Sequence, residues 1–507
     1  MNIKQIISGV VSGYLTKLIQ LVASVAIVPF LLVPEVLGVE DYGRAFSILG
    51  ATAVIGIAVA GIHLAADRAI AQAVGRAAAD GGRLVAEMLG SGTKVLALVN
   101  LVFAVPLIVL EQEIFAALGI PTDGRYRGAV AAAAAISFGE NALYLLRAPL
   151  IARGDIAFVN LVGMLEITAR TATLFVLFSR QQGSVVELLG IQAFFTLCRQ
   201  VAYVFRLEPS DRAGFWRAPI SSAATAVRYA GSVTLAEGSV IAVRNLPVMV
   251  ASRFLGATEA GYVAIVANTL QGYFLQIFYS VVQPIALPIA SRFTLPDARS
   301  PRLRGFMDVE ATYALGVAIV FGQLIYWTPT VIPLWLGEEF VEIVLATQIM
   351  LAGSGVQTIS ILRRSVLIGQ GVIGDAVPVL VASALASILL VVVGVVYFDS
   401  WLSAVVFSAL YLLAASSLAV DRVFVRTFGR AHTAGPMSRI LSVGSIFVAA
   451  GAIATLPSGV SFLESCMWAA VALGATLALA FLTIISPARC ARLIDRLYRS
   501  RGVDLFD

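Results

Sequence analysis

The amino-acid sequence predicts an all-α polytopic membrane protein. The chain has 507 residues, of which 59% are hydrophobic and only 13% are charged, and its mean hydropathy is +0.92. A soluble globular chain carries about 25% charged residues, so this chain has too few of them to cover a water-exposed surface. Continuous apolar runs of roughly 20 residues recur along its length, and each can cross a ~30 Å hydrocarbon core as a helix.

We predict fourteen transmembrane helices. The apolar runs are centred near residues 22, 55, 100, 140, 168, 196, 242, 272, 319, 352, 387, 411, 447 and 475. They are rich in Ala, Val, Leu and Gly, which suits close packing of helices in lipid, whereas β-barrel strands would show short segments of alternating polarity. The runs near 242 and 352 are the weakest, and the alternative is twelve spans with buried helices at the weak positions.

The distribution of Lys and Arg predicts that both ends of the chain lie in the cytoplasm. With the N-terminus inside, the inner loops hold 26 of the 35 Lys and Arg residues, including Arg147, Arg363 and Arg364, and the outer loops hold 5. This asymmetry follows the positive-inside rule. The formal net charge of +5 therefore reflects topology and gives no reason to expect nucleic-acid binding. The first apolar run lacks a small-residue cleavage site, so it reads as a span rather than a signal peptide.

Three stretches of the first half recur in the second half at a constant offset. LGVEDYGRAF, from residue 37, recurs as LGATEAGYVA 218 residues later. IFAALG, from residue 114, recurs as IPLWLG at the same offset, and LLRAPLIARG, from residue 145, recurs as LRRSVLIGQG 217 residues later. Three matches in the same order predict a duplicated six-span unit. Because six is even, the two copies enter from the same side and form parallel repeats.

The duplication divides the chain into five parts. We predict an N-terminal six-helix bundle at 1–206, a cytoplasmic linker at 207–227, a second six-helix bundle at 228–424, two additional spans at 425–486, and a tail at 487–507. The sequence of the tail predicts a basic amphipathic helix that lies on the anionic inner surface of the membrane.

The repeated LG phrase has a local structural meaning. Gly38 and Gly256 follow the first span of each half, and glycine can end a helix in a left-handed conformation. Asp41 and Glu259 then lie near the start of the next helix, where the helix dipole favours a negative charge. We therefore expect a structural turn at both positions.

These features resemble the multidrug/oligosaccharidyl-lipid/polysaccharide exporter superfamily. The resemblance is carried by the two six-helix halves, by the helix–LG–acidic–G–helix opening of each half, and by QPIALPIASRF at 283–293. Fourteen spans and short loops look most like its Wzx-type polysaccharide flippases. The resemblance implies two bundles around a central cavity in the bacterial inner membrane, moving oligosaccharide linked to undecaprenyl pyrophosphate by alternating access. It implies a polysaccharide polymerase and glycosyltransferases as partners, and we expect a monomer.

Four cations inside the predicted spans are candidates for a substrate pathway. A charge in the membrane core costs at least ~2.5–3.5 kcal/mol, and the Arg fork binds phosphate oxygens in pairs. At 1.5 Å per residue, Arg170 lies about 20 Å from the inner end of its span and Arg244 about 22 Å along its own, too deep to snorkel. Lys17 and Arg199 lie at about 10 Å and about 9 Å, within reach of the interface.

Polar neighbours extend the candidate pathway. The resemblance places spans one, seven and eight at the cavity, where amides suit sugar hydroxyls. The predicted substrate-pathway residues are Lys17, Gln20, Arg170, Glu237, Arg244, Asn245, Asn268 and Gln271. Ser24 shares the face of Lys17 and Gln20, and Pro247 is expected to kink span seven. The alternative for each amide is a hydrogen bond between helices of the bundle.

Three deep carboxylates have competing interpretations. Glu166 and Arg170 are spaced i, i+4, so we expect an intrahelical ion pair. Glu237 and Arg244 are two turns apart and are expected to pair through a neighbour. Glu140 has no local cation. It either pairs with Arg170 of the next span or serves as a proton or Na⁺ coupling site, with Glu166 as the second candidate.

Other chemistries are disfavoured. GSGTK, from residue 90, is too short for a P-loop, the three cysteines indicate neither a disulfide nor a metal site, and no cofactor is expected. A membrane glycosyltransferase or polymerase needs a sizeable outer domain, but the longest outer loop, roughly 111–128, has about 18 residues. Within the superfamily, a lipid II flippase and a cation-coupled multidrug exporter are the alternatives, the latter expected to have a more acidic or aromatic cavity. His63 is expected to be packed.

Overall fold

The structure is a computed structural model that describes residues 3–74, 78–180, 182–220, 224–272, 275, 278, 301–412 and 417–428. These residues are helical apart from short turns, and no strand occurs among them. A helix satisfies its backbone hydrogen bonds internally, as a chain surrounded by lipid must. The predicted all-α polytopic fold is confirmed.

The first half of the chain forms a bundle of long helices. Its helices are α1 (Ile3–Leu32), α2 (Gly38–Val74), α3 (Ala78–Val109), α4 (Glu111–Leu118), α5 (Ala129–Ser137), α6 (Ala148–Ala152), α7 (Ile156–Phe178) and α8 (Val185–Arg206). Between α5 and α6 lie a π-helical turn, Phe138–Ala142, and a 3-10 turn, Tyr144–Arg147. A short helix, α9 (Pro209–Arg217), follows α8.

The described part of the second half is also helical. Its helices are α10 (Ala224–Phe254), α11 (Ala257–Val263), α12 (Pro301–Leu336), α13 (Ile343–Ile359), α14 (Ile361–Gln370), α15 (Val377–Phe398), α16 (Trp401–Leu410) and α17 (Ser417–Phe428). A π-helical segment, Ala264–Leu270, continues α11. We call the side with the turns at 33–37, 119–128 and 255–256 the loop face, and the opposite side, which carries α9, the linker face.

The described part of the chain contains nine helices long and apolar enough to cross a membrane, and the bent pair α13 and α14 makes a tenth. The weak apolar run near residue 242 forms one span, Ala230–Phe254. The weak run near residue 352 forms the helix pair α13 and α14, which is bent by 42°. The run near 411 corresponds to α16 and α17. Most of the run near 272, the runs near 447 and 475, and the tail lie outside the described residues, as does QPIALPIASRF. The count of fourteen therefore stays a prediction.

The glycines that end the turns of the three repeated stretches have positive φ angles in both halves. Their φ angles are 82° at Gly38 and 131° at Gly256, 72° at Gly119 and 117° at Gly337, and 91° at Gly154 and 79° at Gly371. Glycine adopts positive φ without the steric penalty of other residues. Asp41 and Glu259 lie in the first turns of α2 and α11, as expected. The shared conformation explains why these glycines recur.

Two spans are broken at equivalent positions of the predicted repeats. The span Ala129–Ala152 changes from π-helix to 3-10 helix at Leu143, and the bent pair breaks at Ser360, 217 residues later. Short π-helical and 3-10 stretches inside helices often accompany functional sites. The breaks therefore direct attention to the side chains beside them.

The two halves pack closely along α2, which runs antiparallel to α10. A Cβ atom added at Gly61 would collide with the backbone of Ala230 and Thr234, and one added at Gly43 would collide with the backbone of Gly261. Small residues allow such close approach between membrane helices. The two copies of the LG phrase thus pack against each other near the loop face.

Asp41 has a structural role at the loop face. It is buried, and its carboxylate accepts hydrogen bonds from Arg44, Arg125 and Tyr126, each at 2.7 Å. Burial, together with the hydrogen bond and charge of Asp41, raises the pKa of Tyr126 to about 12. The acidic residue of the first LG phrase therefore ties the 119–128 loop to α2, in agreement with the predicted structural turn.

Candidate functional site

The interior of the first half brings together five charged side chains from four elements. Lys17 lies on α1, Glu140 on the π-helical turn, Glu166 and Arg170 on α7, and Arg199 on α8. α7 packs against both α1 and α8, and the π-helical turn packs against α8. Charges this deep in a membrane protein are tolerated when they face the bundle interior and pair with one another.

Arg199 links two of the carboxylates. Its Nη2 lies 2.7 Å from Glu140 Oε1, and its Nη1 lies 2.9 Å from Glu166 Oε2. Glu166 also forms the predicted i, i+4 pair with Arg170, at 3.3 Å. The direct partner of Glu140 is thus Arg199 rather than Arg170. Arg199 turns into the bundle instead of snorkelling, because two carboxylates there compensate its charge.

Glu140 faces an accessible space inside the first half. Its side chain is 47% exposed, whereas that of Glu166 is 5% exposed. Arg199, Arg147 and Arg170, from three different elements, all lie within electrostatic range of Glu140. The exposed part of the carboxylate therefore lies among these arginines, and we call the region between these elements the internal space of the first half.

Lys17, Gln20 and Ser24 form a short row of hydrogen-bonded polar residues on α1. Its Nζ donates a hydrogen bond to Gln20 Oε1 at 2.8 Å, and Ser24 Oγ donates to the Gln20 carbonyl oxygen at 2.7 Å. Glu140 and Glu166 lie within electrostatic range of the ammonium group. No carboxylate of the described residues is at ion-pair distance from it. The predicted polar face is present, and its cation keeps hydrogen-bonding capacity.

An aromatic and charged cluster lies beside the break in the span Ala129–Ala152. His63 is buried, its Nε2 lies 2.7 Å from the Asn141 carbonyl oxygen, and its ring stacks on Tyr144 at 4.4 Å. The Arg147 guanidinium lies 4.0 Å from the centroid of the Tyr144 ring. The assignment of Arg147 to a cytoplasmic loop is therefore wrong. It lies in the 3-10 turn, where Tyr144 and the nearby charge of Asp67 compensate its burial.

In the second half, Glu237 pairs with a residue distant in sequence. Its Oε1 accepts a hydrogen bond from Arg364 Nε at 3.0 Å, and Arg364 Nη2 donates to the Ala236 carbonyl oxygen at 3.2 Å. Glu237 thus has a direct partner across the bundle, which the sequence did not predict. Arg364 is the offset equivalent of Arg147, and each arginine lies four residues after the break in its span.

Arg363 and Arg364 are buried inside the second half, so their assignment to a cytoplasmic loop is wrong. Arg363 is 3% exposed, and its Nε lies 2.6 Å from Glu310 while its Nη1 lies 3.0 Å from Asp421. The helix that carries both arginines continues to Gln370 and ends only at Gly371. Carboxylates on other helices make their burial possible.

Arg244 contacts the span that follows it. Its Nη2 donates to the Asn268 carbonyl oxygen at 3.3 Å. Asn268 and Gln271 are 9% and 4% exposed, and Asn245 donates to the carbonyl of Ile241 in its own helix at 2.8 Å. Asn268 and Gln271 are thus packed within the protein, whereas Asn245 is partly buried. Pro247 lies inside α10, which continues to Phe254.

The chemistry available in the first half is recognition of charge. Two arginines, a lysine and a half-exposed carboxylate surround the internal space, and Gln20 supplies an amide beside Lys17. Within the described ranges, no cluster of three or more His, Cys, Asp or Glu side chains could hold a metal ion. The arrangement suits binding of an anionic or hydroxylated group.

Sequence reasoning missed Glu310, Asp421 and Asp67 as partners of buried arginines. The sequence repeat could have indicated that these arginines are buried, because the offset of 217 places Arg147 and Arg364 at equivalent positions. Two arginines at equivalent positions inside apolar stretches indicate a shared buried site rather than two loops.

Comparisons with known proteins identify the fold. No protein-family model matches the chain, and no curated protein matches it. A point mutant of the Vibrio cholerae MATE transporter VcmN is 16% identical, with a TM-score of 0.62 over 84% of this chain and 97% of that chain. The bent form of VcmN is 18% identical, with a TM-score of 0.53 over 84% and 98%. The eukaryotic MATE transporter AtDTX14 is 16% identical, with a TM-score of 0.52 over 84% and 97%. The chain therefore has the fold of the MATE transporters.

Proposed function

We propose that the protein is an exporter that moves a lipid-linked oligosaccharide with an anionic pyrophosphate head across the bacterial inner membrane by alternating access. The observation that carries this proposal is the group of cations around the internal space of the first half. Lys17, Arg170 and Arg199 come from three helices and converge on one site.

The charge balance of this interior supports an anionic ligand. Among the described residues it holds four cations, Lys17, Arg147, Arg170 and Arg199, and three carboxylates, Asp67, Glu140 and Glu166. Glu166 is buried between Arg170 and Arg199, so its charge is already compensated within the protein. A pyrophosphate would reduce the repulsion among the cations and accept paired hydrogen bonds from guanidinium groups.

The wider setting supports transport. The neighbours in fold are described as transporters, which favours an exporter over a membrane glycosyltransferase or polymerase. Without Arg147, Arg363 and Arg364, which lie inside the bundles, 23 of the 26 cations assigned to the inner loops remain, against 5 in the outer loops. This distribution still supports cytoplasmic termini. We propose that glycosyltransferases and a polysaccharide polymerase act before and after the transfer. Lipid II, which also carries a pyrophosphate, is a second substrate of the same chemical class.

A cation-coupled multidrug exporter is the second candidate function. The half-exposed carboxylate of Glu140 favours it, because a carboxylate in an accessible membrane space can bind a proton, Na⁺ or an organic cation. The MATE fold is equally compatible with this function. The two candidates differ in the sign of the charge that the site attracts.

Deletion of the gene in its native host separates the candidates. The proposal predicts loss of surface polysaccharide, accumulation of lipid-linked units in the membrane and unchanged sensitivity to cationic dyes. Production of the Lys17→Gln variant should restore little polysaccharide, and the Lys17→Arg variant most of it. Normal polysaccharide with raised dye sensitivity would instead establish the multidrug exporter.

A further inference from the structure

Connectivity places α9 at the surface of the bilayer. The span α8 ends at Arg206 and α9 begins at Pro209, while the apolar part of the next span begins at Ala230. The 23 residues between these two spans, 207–229, leave and re-enter the bilayer on the same side. α9 therefore lies outside the spans at the linker face, within reach of the headgroup layer.

α9 is fixed to the first half, so its orientation is determined. Asp211 is fully buried and accepts hydrogen bonds from Arg153 Nη1 at 2.5 Å and from Nη2 at 3.1 Å. Lys94 Nζ donates to the carbonyl oxygens of Trp216 and Ala218 at 2.9 Å and 2.7 Å, which fixes the end of the helix. One face of α9 is thus held against the protein.

The opposite face of α9 carries an exposed aromatic ring and two arginines. Trp216 is 77% exposed, and Phe205, at the end of α8, is 75% exposed. Arg212 shares a helical face with Trp216 because the two are spaced i, i+4, and Arg217 is exposed. Tryptophan is enriched at the headgroup level of membranes, where its ring is apolar and its N–H is polar.

The two arginines lack acidic partners among the described residues. The nearby carboxylates of Glu208 and Asp211 pair with Arg153. The Nε of Arg212 is buried and has no hydrogen-bond partner within the described part of the chain. A negative headgroup would complement the charges of both guanidinium groups.

We propose that the Arg212, Trp216 and Arg217 face of α9 binds the phosphate headgroups of anionic phospholipids, and so anchors the first half at one face of the bilayer. The charge complementarity of the arginines and the exposed apolar ring of Trp216, beside a membrane span, identify bilayer lipid as the occupant. The proposal does not depend on which substrate the protein exports.

Depth-resolved fluorescence quenching tests this surface in the full-length protein. The four other tryptophans are replaced by Phe, and the protein is reconstituted into phosphatidylcholine vesicles containing either brominated phosphatidylcholine or brominated phosphatidylglycerol at equal mole fraction. Trp216 should be quenched more strongly by the anionic lipid, since each arginine near an anionic surface enriches such lipid about fivefold. The double substitution Arg212→Gln and Arg217→Gln should abolish the preference while leaving quenching by phosphatidylcholine.

A matched control and a second readout complete the test. Arg127→Gln with Arg180→Gln removes two exposed arginines from the loop face and should keep the preference of Trp216 for phosphatidylglycerol. Native mass spectrometry of the protein with all its tryptophans should show retained phosphatidylglycerol that the α9 double variant loses. Equal quenching by both lipids, absence of quenching, or equal lipid retention by both proteins would overturn the proposal.

Discussion

Replacing Arg199 by Gln tests the charged network of the first half. The change removes the ion pairs to Glu140, at 2.7 Å, and to Glu166, at 2.9 Å. Glu166 is buried but keeps Arg170 at 3.3 Å, so it loses one charged hydrogen bond worth about 1.5–3 kcal/mol. Glu140 is half exposed, so its pair adds about 0–1 kcal/mol. The expected loss in free energy of unfolding is roughly 1.5–4 kcal/mol.

Unfolding in mixed detergent–SDS micelles, followed by far-ultraviolet circular dichroism, measures this loss. Arg206→Gln is the control on the same helix, because Arg206 is 56% exposed and its pair with Asp155 lies at the surface. That variant should lose less than about 1 kcal/mol. Equal losses for the two variants, or a loss under about 0.5 kcal/mol for Arg199→Gln, would show that Arg199 does not hold the helices together.

Three further predictions address packing, topology and the second half. Gly61→Ala should destabilise the protein by about 1–3 kcal/mol in the same assay, because the new methyl group collides with the α10 backbone; Gly231→Ala, with nothing near its Cβ, should not. A reporter fused after residue 507 should be active only as a cytoplasmic fusion, and strong periplasmic activity would refute the fourteen-span topology. Arg244→Ala should abolish surface polysaccharide at normal protein abundance, Arg244→Lys should restore part of it, and Arg244→Glu should be at least as damaging as Ala; normal export by the Glu variant would exclude electrostatic guidance by Arg244.

Hydropathy and spacing predicted much of the fold. The long spans α1, α2, α3, α7 and α8 follow from the apolar runs, because a helix that crosses lipid needs a continuous stretch of such residues. The positive φ angles at the LG phrases follow from the glycine repeats. The breaks at Leu143 and Ser360 were not predicted, since hydropathy does not distinguish a straight helix from one interrupted by a π-helical or 3-10 turn.

The candidate site was predicted only where its contacts are local. The Glu166–Arg170 pair follows from i, i+4 spacing on one helix. The Glu237–Arg364 pair joins residues 127 positions apart, so it depends on how the helices pack. The positive-inside rule also placed both Arg363 and Arg364 in a loop, because a count of charges cannot tell an arginine with buried carboxylate partners from one in water.

Transfer of a labelled lipid by the purified protein tests the central claim most directly. Proteoliposomes receive a fluorescent oligosaccharide on undecaprenyl pyrophosphate, the same oligosaccharide on neutral undecaprenol, or ethidium, and the rate of appearance on the opposite side is measured. The proposed function predicts rapid transfer of the pyrophosphate lipid alone, slowed several-fold by Lys17→Gln and unaffected by Arg206→Gln. Equal transfer of the neutral lipid, or transport of ethidium without lipid transfer, would contradict it.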